Sequence, residues 1–169
     1  MKPHYSMMAG YNAWANARVY EAAASLPDAQ YRADRGAFFK SVHGTLNHLL
    51  ATDRIWLRRF SGEGDAPNSL DAILFDALDA LRSARVAEDR RIVAYVESLT
   101  EGDLHGSVTY RTIASPATIT QPLGPALAHL FNHQTHHRGQ VHGLLTGLGL
   151  AAPSLDLILY QRETGQGMS

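Results

Sequence analysis

The 169-residue chain contains no cysteine. That excludes disulfides, thiolate metal ligands and a cysteine nucleophile together. Charge of either sign in excess is also missing: 15 basic and 16 acidic side chains leave a formal net charge of −1. No global field draws in nucleic acid or an anionic membrane surface, and neither is expected as a partner. No run approaches the roughly 18 apolar residues of a membrane span. The opening MKPHYSMMAGYNAW lacks the apolar stretch of a secretory signal, so a cytoplasmic protein is expected. Hydrophobic residues at 45% against charged residues at 18% are the balance of a folded chain, and the length suits one domain over residues 1–169. What stands out is histidine. There are nine, and His129, His133, His136 and His137 fall within nine residues.

Apolar residues recur at helical spacing through most of the chain. Tyr5 to Leu26 is Ala-rich, with Met8, Tyr11, Ala15, Val19 and Ala22 on one face, and Pro27-Asp28 ends it. Ser41 to Phe60 reads as a second helix through Val42, Leu46, Leu49, Leu50, Trp56, Leu57 and Phe60. After the loop SGEGDAPNS, Asn68 or Ser69 can cap a third helix predicted over about Leu70 to Leu99. Ser107 to Thr120 is β-branched and interrupted at Ser115-Pro116, which predicts two short paired strands. A fourth helix is predicted from near Pro125 to about Leu148, stopped by Gly147 and Gly149. After Pro153, SLDLILYQRE predicts a short closing helix or extended arm. Four long amphipathic helices with one small hairpin make an all-α bundle.

The fourth helix carries the chemistry. His133 and His137 lie at the edge of its apolar stripe, one turn apart on one face, where their rings can share a metal. His129 cannot join both, because eight residues separate it from His137 by about 12 Å along the axis. A third ligand must come from another helix. His48 is the best candidate, since it sits mid-helix in LNHLLATDRIW; His43 is near a helix start, His4 on a terminus, His105 beside a loop, and His142 on another side of the fourth helix. Glutamine, not glutamate, follows His133, so the zincin pattern is missing, and no Glu-x-x-His occurs for a di-iron bundle. Three imidazoles without a carboxylate suit Zn, Ni, Cu or Fe better than Mg or Ca.

The segments YNAWANARVY, HLLATDRIWLRRF, HLFNHQTHHRGQVHGLLTGLG and PSLDLILYQRE, in that order, resemble the DinB/YfiT-like family of bundle metalloproteins along nearly the whole chain. The resemblance implies a four-helix bundle of up-down-down-up connectivity and a metal held by His48, His133 and His137. It also implies a homodimer and a divalent transition metal, Zn or Ni foremost, with Fe, Cu or Mn as alternatives. Metal-dependent transferases using low-molecular-weight thiols, and isomerases, are known among the relatives. The expected activity is thus metal-dependent chemistry on a small-molecule substrate, by transfer with an external thiol, by hydrolysis or by isomerisation. The rival is a non-catalytic, stress-related homodimer that binds a metal or small ligand.

Other residues carry structural expectations. Asp53 and Arg138 both face inward on their helices and are expected to form a buried ion pair between the second and fourth helices, because an unpaired buried charge is costly. Trp14 and Trp56 are read as core, and His142 as structural. His129 and His136 are read as solvated or flanking groups. The stripe Gly139, Gly143 and Gly147 allows close approach of another helix or a second subunit.

Overall fold

A computed structural model describes residues 1–113 and 117–168; the Ser115-Pro116 break lies outside them. Four long helices dominate: α1 (Lys2–Ala24), α3 (Val42–Ser61), α4 (Leu78–Ser98) and α6 (Leu123–Gly147). The short helices α2 (Asp28–Arg32) and α5 (Glu101–Leu104), the strands β1 (Ser107–Arg111) and β2 (Thr118–Pro122), and the closing helix α7 (Leu157–Thr164) complete the order. Local chemistry sets the ends. The Ser41 hydroxyl accepts from the Gly44 N–H to cap α3, and Gly62 closes it at φ 76° with its N–H on the Arg58 carbonyl. β1 and β2 pair antiparallel from Ser107↔Pro122 to Arg111↔Thr118 and feed directly into α6. No helix among the described residues is long and apolar enough to cross a membrane.

Side-chain contacts fix the helix directions. Lys2 reaches Glu97 and Asn12 reaches Asp89, so α1 and α4 run antiparallel. Tyr5 bonds the Gly124 carbonyl and Asn12 meets Arg138, so α1 and α6 run parallel. Asp53 contacts Arg85 and Phe60 stacks on Tyr95, so α3 and α4 are parallel. Trp56 lies by His129 and His48 by His137, so α3 and α6 are antiparallel. This is the up-down-down-up bundle. It also corrects the predicted third helix, which starts at Leu78 and not at Leu70. Two parallel neighbours must be joined by a strap that returns the length of α3, about 30 Å for 20 residues. Residues 62–77 are that strap. Leu70, Ile73, Leu74 and Ala77 have helical spacing, yet Leu70 and Ile73 are exposed. Asn47 holds the strap by accepting from the Leu74 and Phe75 N–H groups and donating to the Phe75 carbonyl.

The interior has two apolar clusters. One, toward the hairpin, includes Tyr5, Trp56, Ile92, Leu127 and Phe131. The other includes Val19, Leu46, Leu50, Leu81 and Val141. Between them runs a polar belt through all four long helices. Gln134 donates to Asp53; Arg85 pairs with Asp53 at 2.7 Å and with Asp89 at 3.0 Å; Asn12 and Asn16 donate to Asp89 and accept from Arg138. The expected Asp53–Arg138 pair is therefore corrected. Asp53 takes its cation from α4, and Arg138 rests on two asparagines and the Tyr11 ring. Both charges are inward as expected, but a helix wheel of α3 and α6 cannot see Arg85. Trp56 is buried as read, whereas Trp14 is partly exposed and donates to Glu163 of α7. Among the described residues no atom from another element lies within 4 Å of a Cβ built on Gly139, Gly143 or Gly147, so none of the described helices packs on that stripe.

Candidate metal centre

α3 and α6 cross where His48 faces His133 and His137. The Nε2 of His48 lies 3.3 Å from that of His133 and 3.2 Å from that of His137, and one ligand nitrogen from each ring falls within 4.8 Å of the other two. The spacing fits an ion: at Zn–N bonds of about 2.0–2.1 Å, tetrahedral ligands stand about 3.3 Å apart. The far side of two rings fixes their protonation. The Leu70 carbonyl, only an acceptor, takes the Nδ1–H of His48 at 2.6 Å, and Gln140 Oε1 takes that of His137 at 2.7 Å. Both Nε2 atoms are thereby left as lone pairs facing each other, an arrangement a cation stabilises. Among the described residues no further histidine or carboxylate joins the cluster. Were the three to hold an ion, they would leave a coordination position open, as in catalytic and not in closed structural sites.

Burial keeps these imidazoles neutral. Desolvation pushes His48 down to about 4, against the opposing hydrogen bond to Leu70. It pushes His133 down to about 3, helped by its histidine neighbours. His137 is lowered too, again by desolvation, with Gln140 acting the other way. A neutral ring is the form that ligates.

The surrounding side chains were only partly expected. Phe39, between α2 and α3, stacks on His48 at 3.7 Å between ring centroids and meets His137 edge-on at 5.5 Å. It is presented by a tight turn in which Lys40 adopts φ 67°. The turn backs onto the first turn of α3, where only glycine fits: a Cβ at Gly44 would come within 2.2 Å of the Phe39 carbonyl oxygen. Nothing periodic in the sequence marks Phe39. Gln140 had a signal, being three residues beyond His137 and so on the same helix face. His129 and His136 stay outside the ligand cluster; the first flanks Trp56 and His133, and the second flanks His137 and bonds Gln140. His43 is buried, bonded to the Phe75 carbonyl and edge-on to Tyr31.

Comparison with known proteins adds the family. The DinB family model matches residues 1–168. The chain belongs to the DinB family. Protein DinB of Bacillus subtilis (strain 168) is 26% identical over 165 residues, covering 89% of each chain. A crystal structure of a DinB-like protein from Bacillus cereus superposes with a TM-score of 0.64 at 18% identity, covering 83% of this chain and 89% of the other. That likeness bears on the fold of this DinB-family chain, an α-helical bundle with a hairpin.

Proposed function

We propose that this DinB-family protein is a metal-dependent enzyme acting on a small molecule, with a divalent transition metal, zinc or nickel, held by His48, His133 and His137. The observation that supports it is the convergence of three neutral imidazoles at tetrahedral spacing with no fourth ligand among the described residues. The reaction proposed is transfer to an external low-molecular-weight thiol, since the chain has no thiol of its own; hydrolysis and isomerisation are the alternatives. When bound, the ion would supply Lewis acidity and lower the pKa of a water or thiol beside it. The chain's own groups hold and orient. Leu70 and Gln140 fix which ring nitrogen of His48 and His137 carries the proton, and Phe39 excludes water from one side.

The test begins with metal content by elemental analysis for the native chain and a His48/His133/His137 triple alanine. Cobalt-loaded protein is then titrated with candidate thiols, whose coordination changes the visible spectrum, and assayed with an electrophile. One metal per native chain, none in the triple variant, and a rate above that variant are expected. A native chain that stays metal-free refutes the reading. Uptake without any spectral response or rate leaves a metal-binding bundle and refutes the enzyme.

A further inference from the structure

Beyond the hairpin end of the metal centre lies a groove of about 580 Å³, lined by Ile55, Arg58, Arg59, Asn68, Tyr110 and Arg111. These are six of its eleven lining residues, and three of the eleven are arginines. Among the described residues none of the three has a carboxylate within 4.0 Å, as is also true of Arg35, Arg82, Arg90, Arg138 and Arg162; what sets the groove apart is that three such cations share one concavity. Arg59 is also held in place. Its guanidinium lies 4.5 Å from the Trp56 ring and 4.4 Å from the Tyr110 ring, and it donates to the Arg111 carbonyl at 3.1 Å. That one donated bond leaves most of its five N–H donors for a ligand. A half-buried, ring-clamped cation with no counter-ion is pre-organised to receive an anion, and the planar fork suits carboxylate or phosphate.

The groove lies on the hairpin side of the metal centre, along the same helix α3. Arg59 is eleven residues beyond His48 on α3, which returns it to the same face about 16 Å along the axis. Rings bridge the interval: Trp56 is 5.0 Å from His129, and His129 is 5.8 Å from His133. The strap that lines the groove at Asn68 supplies, two residues later, the Leu70 carbonyl that holds His48. We infer that this groove binds the anionic end, a carboxylate or phosphate, of an elongated substrate whose reacting atom lies at the metal centre, on the order of 15 Å away. The assignment rests on the proposed metal centre for the reacting end only; the anion site stands on its own residues.

Zinc-loaded protein in a Trp14→Phe background is titrated with phenyl phosphate and, separately, with succinate, by calorimetry and by Trp56 emission. The anion that binds more tightly identifies which group the groove reads. Affinity should fall at least tenfold in Arg59→Gln/Arg111→Gln and stay within twofold of native in Arg82→Gln/Arg162→Gln, which removes two exposed arginines elsewhere. Arg59→Lys, which keeps the charge and loses the fork, should fall between. If circular dichroism shows the Arg59 variant misfolded, Arg58→Gln/Arg111→Gln carries the test with both side chains exposed. Equal losses in the groove and control variants, or native binding in the groove variant, overturn the inference. So does binding lost in His133→Ala but kept without the arginines, because the anion then sits on the zinc. Zinc content separates the two readings: anion bound without zinc refutes the metal centre alone, and zinc bound without anion refutes the groove alone.

Discussion

Replacing Arg85 with methionine tests the belt that joins the four long helices. Arg85 is 2% exposed and its two carboxylate partners, Asp53 and Asp89, are 0% and 5% exposed. The substitution keeps the volume and leaves both carboxylates without their cation, while Gln134, Asn12 and Asn16 go on donating to them. Breaking a buried pair in this way costs about 3–5 kcal/mol, which lowers the melting temperature by roughly 6–20 °C for a chain of this size. The pH dependence follows from Asp53. Burial outweighs Arg85 and Gln134 and pushes its carboxyl up from 3.8 to about 6. The folded chain therefore holds that proton more tightly than the unfolded chain, and stability from this group rises as the pH falls from above 6 toward 3.8. Without Arg85 a lowering influence is gone, the folded value climbs further, and the variant's deficit should be largest at pH 7.5 and shrink by pH 5.5. Urea unfolding of both chains at the two pH values measures it, with a chelator present so that metal linkage does not enter. Taking the difference between variant and native cancels the histidines. A loss under about 1 kcal/mol at pH 7.5, or a deficit that does not shrink on acidification, refutes the reasoning.

Three further outcomes are expected. Gln140→Leu removes the acceptor for the His137 Nδ1–H and should weaken zinc about 10–100-fold with the fold intact; unchanged affinity in a competition titration with a chromophoric chelator would remove Gln140 from the account. Because His48 and His133 are held down to about 4 and about 3, protons should not compete with zinc until the pH falls well below the ordinary imidazole value of about 6.5. Affinity half lost near that value would show the rings to be solvated. Asn47→Ala removes two acceptor contacts and one donor contact to the strap, so the Leu74 and Phe75 amides should exchange at least tenfold faster, read by hydrogen-exchange mass spectrometry, while those in mid-α3 keep their rates.

The pair His133 and His137 was legible because a four-residue spacing on one helix needs no knowledge of the neighbours. His48 was harder. It emerged from the need for a third ligand, from its mid-helix place in LNHLLATDRIW and from the DinB resemblance. The hairpin and the ends of α1, α3 and α6 were marked by proline, glycine and β-branched residues. The start of α4 was misread because Leu70, Ile73, Leu74 and Ala77 repeat as a helix would, and only the parallel course of α3 and α4 forces them into a strap. Arg85 escaped for a related reason: its partners lie on two other helices, and no local pattern reports a contact between positions 53 and 85. Phe39 reaches the site from a turn, where side-chain direction follows from backbone angles that spacing does not reveal.

The strap between α3 and α4 also limits how the chain can be re-engineered. Spanning about 30 Å in an extended course takes at least nine residues at 3.3–3.6 Å each, so the connection over residues 62–77 has about seven residues beyond that minimum. Trimming it beyond that surplus would pull Leu70 off His48.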